Sequence, residues 1–334
     1  MKRYGSLFEE IISFENLVVA AKRAFRGKKD KASVARFYFD MENELLCIRE
    51  ELRNKTYMPR PLRVFRILEP KVREIGASDF RDRVVHHAVC NIIEPILERG
   101  YVHHSYACRA GKGTHRAVRQ AQIFSRKNRY YLKCDIRQYF GSIDRNILKE
   151  IIVRKFKDPD LIWLLNAIID SAQSDQPRKG IPIGSLTSQH FANLYLDRLD
   201  HYIKDSLRVR SYLRYMDDFI LFGAEKVDLH SLHISIMNFL HDELELELKE
   251  KATMLALVRD GIPFLGFRIF PNLIRLKQEN KKRALNTLKS RTRAFKAGEI
   301  SEAEYSRSLM SIIEHLKIAN TYNLRKNVFD KMFF

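Results

Sequence analysis

No stretch of this 334-residue chain reaches the roughly 18 uninterrupted apolar residues of a membrane-crossing helix. The opening Met1-Lys2-Arg3-Tyr4-Gly5-Ser6 leads into no long apolar segment that would serve as leader or anchor. A cytoplasmic protein with no membrane partner is therefore expected. Cysteine is scarce: Cys47, Cys90, Cys108 and Cys134 are far apart and include no Cys-x-x-Cys pair, so reduced, mostly buried thiols are expected. The histidines at 86–87, 103–104, 230 and 233 lack a second ligand pair at zinc-site spacing, which favours structural or nucleic-acid-contacting roles. The loop Ala110-Gly111-Lys112-Gly113-Thr114 lacks the full spacing of a phosphate-binding P-loop, which argues against a nucleotide triphosphatase. There is no internal repeat. Acidic charge is also in deficit, with 41 Asp+Glu against 60 Lys+Arg and a formal charge of +19. An excess of that size in a chain of this length points to a polyanionic partner, with nucleic acid first.

What is present is an ordinary globular composition, 45% hydrophobic and 30% charged, enough for a substantial core in two or three lobes. Apolar spacing from residue 7 to 54 predicts two opening helices separated by a break at 27–31. Residues 63–68 alternate basic and apolar side chains as a half-exposed strand does, and Pro70 ends it. Helical spacing returns at 80–97, a buried strand is predicted at 130–136, and further helices at about 144 onward, 186–202 and 229–248. Residues 262–270 read as an apolar turn or hairpin. From 274 to 295 a basic helical segment is expected, then a helical hairpin to the C-terminus.

Within this frame Asp217 and Asp218 stand out in Leu213-Arg214-Tyr215-Met216-Asp217-Asp218-Phe219-Ile220-Leu221-Phe222. Two carboxylates in a largely buried setting lose charge or find a cation. A strand, a two-residue acidic turn and a second strand would present them to a divalent metal. Asp-Asp also suits a tight hairpin poorly, since such turns usually need glycine. Asp135, at the end of another predicted strand, supplies a further carboxylate. Phosphoryl transfer to a 3′-hydroxyl uses two divalent ions about 3.5–4 Å apart, and hard magnesium ions take carboxylate and carbonyl oxygens.

At these residues the sequence resembles a known family. Tyr215-Met216-Asp217-Asp218 matches the Tyr-x-Asp-Asp motif of reverse transcriptases, and Asp135-x-x-x-Tyr139-Phe140 resembles their first acidic motif. Pro70-Lys71-x-Arg73, residues 81–88 and residues 105–115 are similar to finger blocks of group II intron-like enzymes, and residues 262–267 to their primer grip. The matching blocks span roughly residues 60–270. The resemblance implies an α+β right-hand polymerase fold. N-terminal helices and fingers would occupy 1–128, the first part of the palm 129–154, and a fingers–palm connection 155–182. The second part of the palm, an antiparallel sheet with the primer grip, would occupy 183–271, and a basic helical thumb 272–334.

The family's roles then carry over residue by residue. Asp135 and Asp217 would ligate two Mg2+ ions, for which Mn2+ can substitute, with the Ile136 carbonyl and Asp218 assisting. Lys71 and Arg73 would neutralise the triphosphate, while Tyr139, Phe140, Ile183 and Gly184 would line the dNTP site, Phe140 as the steric gate against a ribose 2′-hydroxyl. Lys251, or Lys249 two residues away, would be the general acid, and Phe264, Leu265 and Gly266 the primer grip. One block departs from the common Gln-Gly-x-x-x-Ser-Pro: here it is Ile183-Gly184-Ser185-Leu186-Thr187-Ser188-Gln189. Ile183, Gly184, Ser188 and Gln189 follow the form seen in diversity-generating retroelements of bacteria, archaea and phages. Those enzymes copy a template RNA into cDNA with errors at adenines for mutagenic retrohoming, commonly with a small basic oligomeric accessory protein. Two other readings stand beside this one. A retron-like or defence-associated reverse transcriptase would lack an adjacent template–variable repeat pair, and a non-catalytic RNA-binding scaffold would need no more than the +19 charge.

Overall fold

The computed structural model describes residues 3–27, 32–68, 73–172 and 178–333. In chain order, four helices come first, α1 (Phe8–Ile11), α2 (Phe14–Phe25), α3 (Ala32–Phe39) and α4 (Met41–Arg53), then a hairpin of β1 (Arg63–Ile67) and β2 (Arg73–Ala77). Next are α5 (Phe80–Glu98), α6 (Thr114–Ser125), β3 (Tyr130–Asp135), α7 (Tyr139–Ser142), α8 (Arg145–Lys155), α9 (Pro159–Asp170) and α10 (Leu186–His201). The strands β4 (Tyr212–Tyr215) and β5 (Asp218–Gly223) precede α11 (Lys226–Leu244). Four short strands follow, β6 (Met254–Leu257), β7 (Ile262–Phe264), β8 (Phe267–Ile269) and β9 (Ile274–Leu276), and then α12 (Gln278–Lys296), α13 (Glu302–Lys317) and α14 (Tyr322–Phe333).

The chain forms two compact units, and it crosses between them several times. The first comprises Met1–His103, Ile136–Arg208 and Ser235–Lys249. It is mainly helical and is organised on α5, whose Val84, Val85, Ala88, Val89 and Ile93 are buried against α2 and α10. Asp79 starts α5 by accepting from the Arg81 N–H, and Asp144 starts α8 by accepting from Asn146 and Ile147. In the same unit β1 pairs antiparallel with β2, and every residue of β1 is exposed.

The second unit comprises His104–Asp135, Val209–Ile234 and Glu250–Phe334. It holds an antiparallel sheet ordered β4-β5-β3-β6 and a smaller one ordered β7-β8-β9. Strands β5 and β3 are central in the larger sheet, which fits the continuous apolar run Phe219–Phe222 of β5 and the mostly apolar β3, interrupted by Lys133. One buried cluster joins Ala117, Val118 and Ala121 of α6 to Leu213, Ile220, Phe264 and Phe267. Each such large apolar side chain contributes about 1.5–3 kcal/mol when fully buried.

Several expectations need correction. The two opening helices are four, because Ser13 caps a new helix by accepting from the Asn16 N–H and α3 ends before Asp40; of the expected break, residues 28–31 lie outside the described residues. Helix α9 was not anticipated at all. The basic segment from 274 begins as strand β9, since pairing with β8 overrides its helical spacing. The helix expected at 229–248 runs instead over Lys226–Leu244. Cys90 and Cys134 are buried, whereas Cys47 and Cys108 are exposed, so only half of the thiols are sequestered. Among the described residues no helix is long and apolar enough to cross a membrane.

Candidate active site

The acidic hairpin is tighter than its sequence suggests. Tyr215 and Asp218 face each other across β4 and β5, so the two turn residues are Met216 and Asp217, while Asp218 already belongs to β5. The expected Asp-Asp turn is thus a Met-Asp turn. Met216 takes the positive φ, 57°, that glycine normally supplies. Arg214, fully buried in β4, donates from its guanidinium to the Met216 carbonyl at 3.0 Å. Its backbone is tied as well, Tyr106 N–H donating to the Arg214 carbonyl and Arg214 N–H to the His104 carbonyl, each at 2.9 Å. A segment at 104–106 therefore braces β4 directly beside the turn.

Strand β3 brings the third carboxylate. Asp135, its last residue, is the direct cross-strand partner of Asp218. Like charges placed so repel. Lys133 lies two residues before Asp135, on the same face by the period of a strand, and its Nζ is 2.7 Å from Asp218 Oδ1. The contact is an ion pair without an aligned hydrogen-bond donor on Oδ1. Burial, the largest influence, and the charges of Asp135 and Asp217 push the Asp218 carboxyl up to about 7 against the opposing pull of Lys133. The Lys133 ammonium thus offsets part of the negative charge at Asp218.

This donor set fits a hard divalent cation: carboxylate oxygens, excess negative charge and an incompletely satisfied buried oxygen on Asp218. Among the described residues no group of three or more His, Cys, Asp or Glu side chains is placed to hold a metal ion by itself, so any ion here would need waters and substrate oxygens to complete its shell. Magnesium suits such partial sites because it keeps waters and takes substrate phosphates as ligands.

The remaining expected site residues distribute as follows. Phe264, Leu265 and Gly266 are in the same unit as the aspartates, in the β7–β8 hairpin, where Leu265 (φ 47°) and Gly266 (φ 87°) form the two-residue turn. The Gly266 carbonyl accepts from Lys277 N–H at 3.0 Å, which fixes that turn to the start of α12. Lys251 is exposed in the short turn Glu250–Ala252.

In the other unit Ile136 is buried and bridged to Leu248, and Lys249 is exposed. Tyr139 is buried and its hydroxyl donates to the Ala192 carbonyl, while the Phe140 ring meets it edge-on at 5.7 Å and is half-buried. The Ile183 carbonyl accepts from Gly76 N–H of β2 at 2.9 Å. Gly184, at φ 111°, passes so close to Ile75 that a Cβ would lie 2.8 Å from its Cγ2. Ser185 binds buried His86 at 3.1 Å and Thr187 at 2.9 Å, and Ser188 and Gln189 follow on α10. Arg73 opens β2 opposite Ile67, while Pro70 and Lys71 lie outside the described residues.

Sequence reasoning missed Lys133 and Arg214. The signal for each was present, a lone cation inside an otherwise apolar strand next to an acid or an acidic turn.

Residues 68–269, more than half of the chain, match the family model described as reverse transcriptase (RNA-dependent DNA polymerase). The chain belongs to this reverse transcriptase family. Among its relatives, Protein YkfC of Escherichia coli is 26% identical over 272 residues, covering 68% of this chain and 71% of YkfC. The group II intron-encoded protein LtrA of Lactococcus lactis is 23% identical over 318 residues, covering 73% of this chain. This chain spans about half, 53%, of LtrA. Among solved structures, apo telomerase from Candida tropicalis superposes with a TM-score of 0.52 at 13% identity, over 70% of this chain and 52% of the telomerase chain. At that identity the likeness concerns the fold, which is the α+β right-hand fold of polymerases.

Proposed function

We propose that this reverse transcriptase is an active RNA-directed DNA polymerase that extends a DNA primer on an RNA template through Asp135, Asp217 and Asp218. The observation carrying the reading is the cross-strand pairing of Asp135 with Asp218 beside the Met216-Asp217 turn. Asp135 and Asp217, aided by Asp218 and the Ile136 carbonyl, would hold two Mg2+ ions or Mn2+ in their place, which would supply Lewis-acid chemistry to the primer 3′-hydroxyl and the leaving group. Lys71 and Arg73 bind the triphosphate, and Lys251 or Lys249 gives the proton to pyrophosphate. Tyr139, anchored on Ala192, steadies Phe140, whose ring excludes the ribose 2′-hydroxyl. Phe264, Leu265 and Gly266 hold the primer end. The segments 1–128, 129–154, 155–182, 183–271 and 272–334 are our assignment of fingers, palm, connection, palm and thumb.

Asp217→Asn with Asp218→Asn is expected to leave RNA binding intact and to abolish primer extension with Mg2+ or Mn2+. Extension that persists in the double variant would move the chemistry elsewhere. A wild-type chain that binds RNA but incorporates no dNTP would make it a scaffold.

Within this function we assign the chain to the diversity-generating type, error-prone at template adenines, cytoplasmic, and working with a small basic accessory protein. Ile183 supports the assignment. Its carbonyl accepts from Gly76 N–H, and its aliphatic side chain offers a nucleotide no hydrogen bond.

A further inference from the structure

In the first unit a cavity of about 560 Å3 lies between α8, the end of α10 and Phe239, and none of the residues assigned above to polymerisation lines it. Its walls include Ile151, Lys155, Leu194, Tyr202 and Phe239. Helix α10 runs on there into a π-helical turn, Tyr202–Ser206, in which the Leu207 N–H reaches back to the Tyr202 carbonyl at 2.9 Å. Such widened turns are rare and recur at functional sites. The Tyr202 ring lies parallel to that of Phe239, with centroids 4.2 Å apart, and Asp205 and Ser206 of the same turn join the lining.

One charge in this lining has no counterpart. Lys155, the last residue of α8, is 6% exposed, and its ammonium has neither a hydrogen bond nor an acidic partner among the described residues. Glycine at position 100 makes room for it, since a Cβ there would lie 2.5 Å from Lys155 Nζ. The other charged side chains of the cavity are answered by protein groups. Asp205 is 2.7 Å from Nδ1 of His201, and Asp197 is 3.7 Å from its Nε2. Burial lowers the pKa of that imidazole, but the Asp205 hydrogen bond and the charge of Asp197 outweigh it and hold it above its ordinary value, so His201 serves both acids. Arg198 pairs with Glu243, and Arg154 lies 3.9 Å from Glu150. A buried ammonium left alone is costly until an anion reaches it.

We infer that this cavity binds a small organic carboxylate, its head group on Lys155 and its apolar body against Ile151, Leu194, Tyr202 and Phe239. A single unanswered cation matches a single negative charge. A phosphate dianion would bring a second one towards Asp197 and Asp205, which already share one imidazole. The aliphatic and aromatic walls call for a hydrocarbon or aromatic portion on the ligand, and the volume is that of a site for a molecule of drug-like size.

The probes are 4-phenylbutyrate, its neutral amide and 3-phenylpropyl phosphate, titrated calorimetrically into the full chain at about pH 8, where the phosphate is a dianion. The carboxylate is expected to bind with Kd below about 1 mM, and the amide and the phosphate at least about tenfold more weakly. Lys155→Met keeps the length of the side chain and removes its charge. It should weaken the carboxylate at least about tenfold, to the level of the amide, and leave the amide unchanged. Gly100→Ala puts a methyl group where the ammonium lies, so it should weaken the carboxylate selectively without touching any charge.

Equal affinity for carboxylate and amide in the wild-type chain would overturn the inference, and so would a phosphate that binds as tightly as the carboxylate. Carboxylate binding that survives both Lys155→Met and Gly100→Ala would place the probe elsewhere on this basic chain and overturn it too. Should Lys155→Met fail to fold, the comparison of the three probes on the wild type and the Gly100→Ala titration decide the matter by themselves. No binding of 4-phenylbutyrate below about 1 mM would also sink it.

Discussion

Arg214 places a permanent charge, fully buried, beneath the turn that aims Asp217, and spends one guanidinium donor on the Met216 carbonyl. Met216 sits at φ 57°, a conformation that a bulky side chain adopts only when its surroundings impose it. Arg214→Met should therefore cost about 1–3 kcal/mol of stability, read from chemical denaturation, because the partly buried Met216 carbonyl loses its donor. It should also lower kcat for primer extension more than KM for dNTP, since the turn loosens while the nucleotide contacts remain. A loss of stability with kcat unchanged would limit Arg214 to packing. Ile183 gives a second expectation: if it lines the nucleotide site as proposed, Ile183→Gln adds a polar group there and should raise accuracy opposite template adenines, scored by sequencing cDNA. An unchanged error spectrum would remove the fidelity assignment of that residue. The aspartates were legible in sequence because their cost is local, two carboxylates between apolar runs. The lone cations Lys133 and Arg214 were visible in their strands but their partners were not: strand register places Lys133 beside Asp218, and the turn's geometry places the Met216 carbonyl within reach of Arg214.

At the scale of elements, one side chain starts two helices. Asp158 precedes Pro159 at the start of α9 and accepts from Asp160 and Leu161 N–H groups, each at 3.2 Å. Its second oxygen accepts from Leu7 at 2.7 Å and Phe8 at 3.0 Å, at the start of α1. Burial pushes this carboxyl upward, yet the four backbone donors of Phe8, Leu7, Leu161 and Asp160 outweigh it and hold it below the ordinary carboxylate range. A depressed folded pKa gives stability that is fully present above the unfolded value, about 3.9, and is lost as pH falls through the folded one. Asp158→Ala should cost about 1–3 kcal/mol at pH 7, the sum of two weakened caps. The gap between wild type and variant should narrow as denaturation is repeated below about pH 4, and a gap independent of pH would mean that the carboxylate's charge contributes nothing. The Asp-Pro pair that opens α9 could have been read as a cap followed by proline at the first helical position. The link to α1 could not, since it joins residues 151 positions apart. The short strand β9 was equally hidden, because three residues carry too little periodicity to compete with a basic helical segment.

At the scale of the molecule, the +19 formal charge and its concentration in the basic segment beyond 272 were visible from the start. The two compact units were not, since they are built from interleaved chain segments that no single composition boundary separates. Much of the excess lies on α12, where Lys282, Lys289 and Arg293 are exposed and Leu288 is buried. Spaced seven and then four residues apart, the three cations fall on one helical face. A surface of this kind binds nucleic acid by releasing counterions, so its affinity must fall steeply with salt. With six or more phosphates neutralised, affinity for a DNA-primed RNA template should drop by about a thousandfold between 50 and 200 mM KCl. Lys282→Gln, Lys289→Gln and Arg293→Gln together should reduce the logarithmic salt slope by about 2–3, at roughly 0.9 for each phosphate left without its cation. Removing three exposed charges leaves the burial of Leu288 on α12 in place, so the thermal midpoint should hold. A slope equal to that of the wild type would mean that α12 carries a merely solvated face and that the polyanion is held by other surfaces.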